Sequence, residues 1–205
     1  MAGCIYESDF VKYNESWVKK YLSTPNNSLL YYSESGNGQY RHYGSLLFPL
    51  YIYQTYGGWN TIKSILNNYT TDPINAIENG LSAISPSYTL ASAYSGHSGY
   101  NYDPDYFYGS IASVWGQATL NGDPNTLHHY AYNRSWTNSE LSSYYYNFQA
   151  LTSTTCPLSI TIDLATNGNA NPIVKTIRTT VTGSKYISTI SITSNRCTII
   201  QNNFN

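Results

Sequence analysis

The segment Tyr40–Trp59, YRHYGSLLFPLYIYQTYGGW, limits what this chain can fold into more than any other. From Leu46 to Tyr53 every position is apolar or aromatic, with Pro49 among them. Ser45 can cap a helix here, and Pro49 then falls in the first turn, where backbone N–H groups have no intrahelical partner and a proline is tolerated. Gly57 and Gly58 stop the helix. A helix of about a dozen residues that is apolar all round has no face to give to water, so it must be buried with other elements packed around it.

The flanking sequence supplies those elements. In SDFVKYNESWVKKYL, Phe10, Tyr13, Trp17 and Tyr21 recur at spacings of three and four, one face of a helix ended by Pro25 and the Asn pair after it. NTIKSILNNY predicts a short amphipathic helix with Ile62, Ile65, Leu66 and Tyr69 inward. In TDPINAIENGL, Asp72 is suited to the N-cap and Pro73 to the first helical position, with Ile74, Ile77 and Leu81 as the buried stripe. SPSYTLASAY predicts one more short helix. From about Ser95, SGHSGYNYDPDYFYGS has the Gly, Tyr and Asp content of irregular loop.

After Asn138 the pattern turns to β. SSYYYNFQAL, LSITIDL, IVKTIRTTVT, KYISTISIT and CTIIQ are β-branched or aromatic runs separated by turn residues, and Leu158, Ile160, Ile162 and Leu164 alternate. The expected fold is therefore α+β, an N-terminal helical subdomain followed by a small antiparallel β-sandwich. The expected boundaries are 1–98 for the helices, 99–138 for an irregular Tyr/Gly-rich connection and 139–205 for the sandwich.

Charge narrows the function classes. Asp, Glu, Lys and Arg make up 10% of the 205 residues, against roughly a quarter in an average soluble protein. The net charge of −1 gives no reason to expect nucleic acid or an anionic membrane as partner. No run approaches 18 apolar residues, so no membrane span is expected. The 23 tyrosines, with abundant Asn, Ser and Thr, give a surface that hydrogen-bonds through neutral groups. This composition suggests an extracellular or cell-surface setting, and N-x-[ST] sequons at Asn14, Asn26, Asn68 and Asn133 would carry glycans there. MAGCIYESDF has neither the basic nor the apolar region of a signal peptide, which suggests that the natural N-terminus lies upstream. Cys4, Cys156 and Cys197 fit no zinc spacing; Cys156 and Cys197 either form a disulfide within the β region or remain two buried thiols.

Chemical motifs are sparse. There is no H-E-x-x-H, G-x-S-x-G, Walker loop or G-x-G-x-x-G. His42, His97, His128 and His129 are dispersed, and the last two would point to opposite faces of a strand. Asp103 and Asp105 in YDPDY suit either a Ca²⁺ loop or a solvated turn.

The order of features resembles the downstream half of the secreted gluzincin-type zinc metallopeptidases. The stretches that carry the resemblance are residues 1–35, then YRHYGSLLFPLYIYQTYGGWNTIKSIL, DPINAIENGL, YNYDPDYF and SSYYYNFQAL. In that family an H-E-x-x-H helix and a second helix with an E-G-x-A-x-x-x-E pattern hold zinc; a Tyr-rich segment, a buried helix and a β-domain follow. The resemblance covers most of residues 1–150 and departs from the family at its centre, since the histidine helix is absent. With Gly3 on the alanine of the glutamate motif, Glu7 falls on its second acid and supports the zinc ligands without being one. Tyr40, His42 and Tyr43 fall where the family's cleft wall lies, where Tyr or His stabilises the oxyanion. The resemblance implies a chain that begins just after the catalytic sequence and is catalytically incomplete alone. It carries no cofactor by itself, zinc being expected only if a separate upstream chain or segment supplies H-E-x-x-H. The alternative is a non-catalytic extracellular module: a self-assembling filament subunit, envelope protein or adhesin, or a sugar-binding module using its tyrosines.

Overall fold

The computed structural model describes residues 15–32, 34–35 and 40–108, positions 141, 143 and 145, and strands within 125–204. The chain divides into two compact units, Met1–Thr119 with Trp136–Tyr145, and Leu120–Ser135 with Tyr146–Asn205.

In the first unit, α1 (Glu15–Ser23) buries Val18, Tyr21 and Leu22, the three- and four-residue spacing that makes one helix face. Phe10 and Tyr13, expected on the same face, lie outside the described residues. A short α2 (Arg41–Gly44) packs on α1. Then comes α3 (Leu47–Thr55), whose Leu47, Phe48, Leu50, Tyr51 and Ile52 are all buried. The uniformly apolar segment is the buried helix that its composition requires. Pro49 sits in its first turn, and Gly57 and Gly58 end it at φ 101° and 67°, a left-handed backbone that glycine adopts without Cβ strain. Ser45 does not cap α3 with its side chain; its hydroxyl donates to the His42 carbonyl at 2.6 Å.

Helix α4 (Trp59–Asn67) packs on α5 (Pro73–Ile84). The Asp72 carboxylate accepts from the backbone N–H of Ile74 at 2.8 Å and of Asn75 at 3.4 Å, so the cap and the following proline act as the sequence indicates. The inward set of α4 differs from expectation. Thr61 and Ile62 are buried, whereas Leu66 is 63% exposed and Tyr69 59%. On α5, Ala76, Gly80 and Leu81 form the buried line, and Ile74 and Ile77 are half-buried.

Helix α6 (Leu90–Tyr102) opens on Thr89, whose hydroxyl accepts from Ser92 N–H at 3.1 Å. It runs straight through Ser95–Tyr102, where the sequence suggested loop, and α7 (Pro104–Tyr108) follows. The glycines that suggest a loop are packing residues here. A Cβ on Gly96 would overlap the Tyr51 hydroxyl and ring of α3, so glycine lets the two helices approach at a cost of about 1 kcal/mol in helix propensity.

The second unit corrects the expected α+β fold with a terminal β-sandwich. A sandwich needs two sheets packed face to face. Among the described residues the strands form only three separate two-stranded ladders. β1 (Asn125–Thr126) pairs in parallel with β2 (Phe148–Gln149). β3 (Cys156–Asp163) pairs antiparallel with β6 (Arg196–Phe204), and β4 (Ile173–Thr179) with β5 (Lys185–Ser191). Alternating hydrophobicity marks a segment as a strand and says nothing of its partners, and among the described residues the partners form pairs.

Among the described residues no helix is long and apolar enough to cross a membrane.

Candidate functional site

Two features of the helical unit bear on chemistry, one inside and one on its surface. The interior one centres on His97 of α6, which is fully buried. Tyr21 of α1 lies with its hydroxyl 2.9 Å from His97 Nε2, and Asn101 Nδ2, one turn along α6, is 3.0 Å from the same atom. On the other side of the ring, His97 Nδ1 is 3.3 Å from the Tyr108 hydroxyl, which donates onward to the Leu47 carbonyl at 3.5 Å. These bonds are mutually consistent for one tautomer. The Tyr108 proton goes to Leu47, so His97 Nδ1 carries the proton donated to Tyr108. His97 Nε2 then accepts from both Tyr21 and Asn101.

The electrostatics agree with a neutral imidazole. Burial, reinforced by the nearby positive charge of Arg41, lowers the His97 pKa to about 3. Burial also raises the Tyr21 and Tyr108 hydroxyls well above their ordinary value, so both phenols stay protonated as the network requires.

Arg41 is itself buried, and its guanidinium is spent on the turn after α1. It donates to Thr24 Oγ1 at 2.9 Å and to the carbonyls of Ser28, Asn27 and Thr24 at 2.8, 3.0 and 3.2 Å. It also sits over the Tyr21 ring, 4.6 Å from its centroid. The 143–145 segment joins the interior through the Tyr145 hydroxyl, which donates to the Ser98 carbonyl at 2.8 Å, and through Ser143 Oγ, 2.6 Å from Ser98 Oγ. The arrangement is a closed polar hub. A buried histidine that is neutral, doubly hydrogen-bonded at Nε2 and held away from water fixes α1, α3, α6 and α7 together; it is not poised to move a proton at neutral pH.

The surface feature contains the sequence-derived Tyr40, His42 and Tyr43. Tyr40, in the left-handed conformation at φ 62°, turns the chain into α2. Helix α2 then sets His42 and Tyr43 beside Trp17 of α1. The ring centroids of Trp17 and Tyr43 are 4.8 Å apart, those of His42 and Tyr43 4.2 Å, Tyr32 and His42 4.5 Å, and Tyr40 and Tyr43 6.0 Å, at interplanar angles of 32–42°. Tyr32, Tyr40 and Tyr43 are 60%, 47% and 48% exposed. Five rings therefore form one contiguous cluster, in which the three tyrosines are exposed and Trp17 and His42 are half-buried. The structure brings the three sequence-derived residues together and adds Trp17 and Tyr32 to them.

Other sequence-derived positions are dispersed. Glu7, Asn14, Asn133, His128 and His129 lie outside the described residues. Asn26 is exposed, while Asn68 is half-buried with its amide donating to the Ser64 carbonyl at 2.9 Å. Asp103 Oδ1 accepts from Tyr106 N–H at 3.3 Å, the bond of a turn leading into α7. In the β3–β6 ladder Cys197 stands opposite Ile162, and Cys156 opposite Phe204. Six positions of strand separate Ile162 from Cys156, about 20 Å at 3.3 Å per residue, while a disulfide requires Cα atoms within about 7 Å. This register does not bring the two cysteines together. Among the described residues no three His, Cys, Asp or Glu side chains converge as a metal site.

Sequence reasoning missed the hub. His97 and Asn101 sit at the i,i+4 spacing of one helix face, just beyond the short helix expected over SPSYTLASAY; Gly96 and Gly99 give their stretch the composition of a loop.

Comparison of the chain with protein-family models, with curated proteins and with solved structures found no match.

Proposed function

We propose that this chain is a non-catalytic extracellular binding module that takes a neutral carbohydrate chain on the face formed by Trp17, Tyr32, Tyr40, His42 and Tyr43. The observation that carries the reading is the contiguity of five rings, three of them about half exposed. An aromatic ring offers a flat apolar surface to the C–H face of a sugar, and a tyrosine adds a hydroxyl that both donates and accepts. The low charge of the chain suits an uncharged ligand, and the extracellular setting rests on that composition and the sequons. The interior histidine supports a non-catalytic reading, because its hydrogen-bonding capacity is used within the fold. The gluzincin-like reading rests on the order of sequence features alone, and no geometry described above favours it.

The test is calorimetric titration with neutral β- and α-linked glucans, galactans and mannans, set against charged polysaccharides as controls. At least one neutral glycan should bind saturably. Tyr43→Ala removes the ring that touches three others and, at about 1 kcal/mol of ring contact, should weaken binding roughly fivefold. Binding that is confined to charged polymers, or unchanged in Tyr43→Ala, overturns the reading.

Self-assembly is a second reading. The β3–β6 and β4–β5 ladders each have an outer edge without a ladder partner among the described residues, and such edges accept a further strand. Sedimentation velocity over a hundredfold concentration range should then show growing assemblies; a constant monomer removes this reading.

A further inference from the structure

Asn101 raises a question that the His97 hub leaves open. The residue is 4% exposed. Its Nδ2 is committed to His97 Nε2, and the tautomer derived above fixes the amide this way round, since His97 Nε2 is an acceptor. That leaves Asn101 Oδ1 buried with no hydrogen-bond partner. A buried amide oxygen without a donor costs about 1–3 kcal/mol, and such atoms are normally satisfied by a protein group or by an internal water.

Beside Asn101 the helical unit forms a small, partly open cavity lined by Tyr21, Leu22, Pro25, Tyr94, Ser143 and Tyr145. Its volume, traced by the centre of a water-sized sphere, is about 10 Å³. One water needs roughly that much room and two to four polar partners. An organic ligand or a hydrated ion does not fit. The walls are neutral: burial raises the Tyr21, Tyr94 and Tyr145 hydroxyls, so they remain O–H groups that both donate and accept.

We propose that this cavity is a binding site for a single resident water, which donates one proton to Asn101 Oδ1 and bonds the surrounding hydroxyls. Ser143, whose Oγ lies 3.4 Å from the Tyr94 hydroxyl and donates to it, also lines the cavity and is distant from Asn101 in sequence, so the water links α6 to Ser143. It completes the hydrogen bonding of the hub: every polar atom of Asn101 is then satisfied, and the amide has no reason to turn over. The ligand is water itself, and the site is structural.

The experiment is a crystal structure of the whole chain at a resolution that shows ordered solvent, followed by the same crystal pressurised with xenon. The expected result is one fully occupied water about 2.7–3.2 Å from Asn101 Oδ1, and no xenon at that place after pressurisation, because a hydrated polar cavity excludes it. An empty cavity, a xenon atom in it, or an Asn101 amide oxygen bonded to a protein donor overturns the proposal. No variant is needed, so failure of a mutant to fold does not enter.

Discussion

Acid should destabilise this protein through one residue, and the size of the effect follows from where His97 sits. Around its ring are the hydroxyls of Tyr21 and Tyr108, the Asn101 amide, and the rings of Phe48, Tyr51 and Tyr94 at centroid distances of 5.2, 6.0 and 5.9 Å. No carboxylate bonds to it among the described residues, and the positive charge of Arg41 adds to burial in opposing protonation. The folded-state pKa of about 3 lies below the unfolded value of 6.5. The unfolded chain therefore binds the extra proton first as pH falls, and the stability tied to neutral His97 is fully present above pH 6.5 and lost progressively from there down to about 3. Linkage gives a loss of about 2 kcal/mol at pH 5 and about 3 kcal/mol at pH 4, relative to pH 7. For a chain of this size about 2 kcal/mol corresponds to a fall in Tm of roughly 4–8 °C. Urea unfolding at pH 7, 6, 5 and 4 measures the slope, and His97→Gln provides the reference. The variant is less stable throughout, but its slope between pH 6.5 and 4 should be flatter by close to 1.4 kcal/mol per pH unit. Imidazole NMR should show His97 as the Nδ1–H tautomer and unprotonated at pH 5. A His97 signal that titrates near 6.5, or identical slopes in the two proteins, refutes the reasoning.

Three further outcomes follow from packing. Leu50→Ala, in the centre of the buried helix, should cost about 2–5 kcal/mol, read as a lowered denaturation midpoint; an unmoved midpoint would show that α3 is not central. Gly96→Ala pushes a methyl into the Tyr51 hydroxyl and should destabilise by about 1–3 kcal/mol despite the better helix propensity of alanine; a more stable variant would mean that α3 and α6 do not approach there. Asp72→Ala removes the two N–H acceptor bonds at the start of α5 and should cost about 1 kcal/mol, with Asp72→Ser recovering most of it.

The legible parts of the fold were those with a local physical cause. The sequence Leu46–Tyr53 admits no solvent-facing side, and α3 is buried. Asp72 followed by Pro73 carries a complete start signal, and α5 starts there. What escaped was set by pairs of residues distant in sequence. Gly96 signals a break until the Tyr51 hydroxyl is known to stand against it. Leu66 and Tyr69 continue the helical period of α4 but are exposed, since α4 ends at Asn67 and its buried residues are Thr61 and Ile62. The β-runs were recognisable as strands, yet β3 pairs with β6 and not with its neighbour in sequence, so periodicity suggested a sandwich that the ladders do not form. Resemblance places Tyr40, His42 and Tyr43 in the wall of a cleft; that their rings cluster with Trp17 and Tyr32 depends on how α2 packs on α1, which no local pattern encodes.

The central claim is that the exposed ring cluster is where a neutral glycan binds, and the most direct measurement is an NMR titration of the isotopically labelled chain with neutral oligosaccharides of increasing length. The account predicts saturable shift changes concentrated on the side chains of Trp17, Tyr32, Tyr40, His42 and Tyr43, with affinity rising until the sugar spans the face. Saturable changes that fall elsewhere in the chain, or the absence of any saturable change across the neutral glycans, would contradict it.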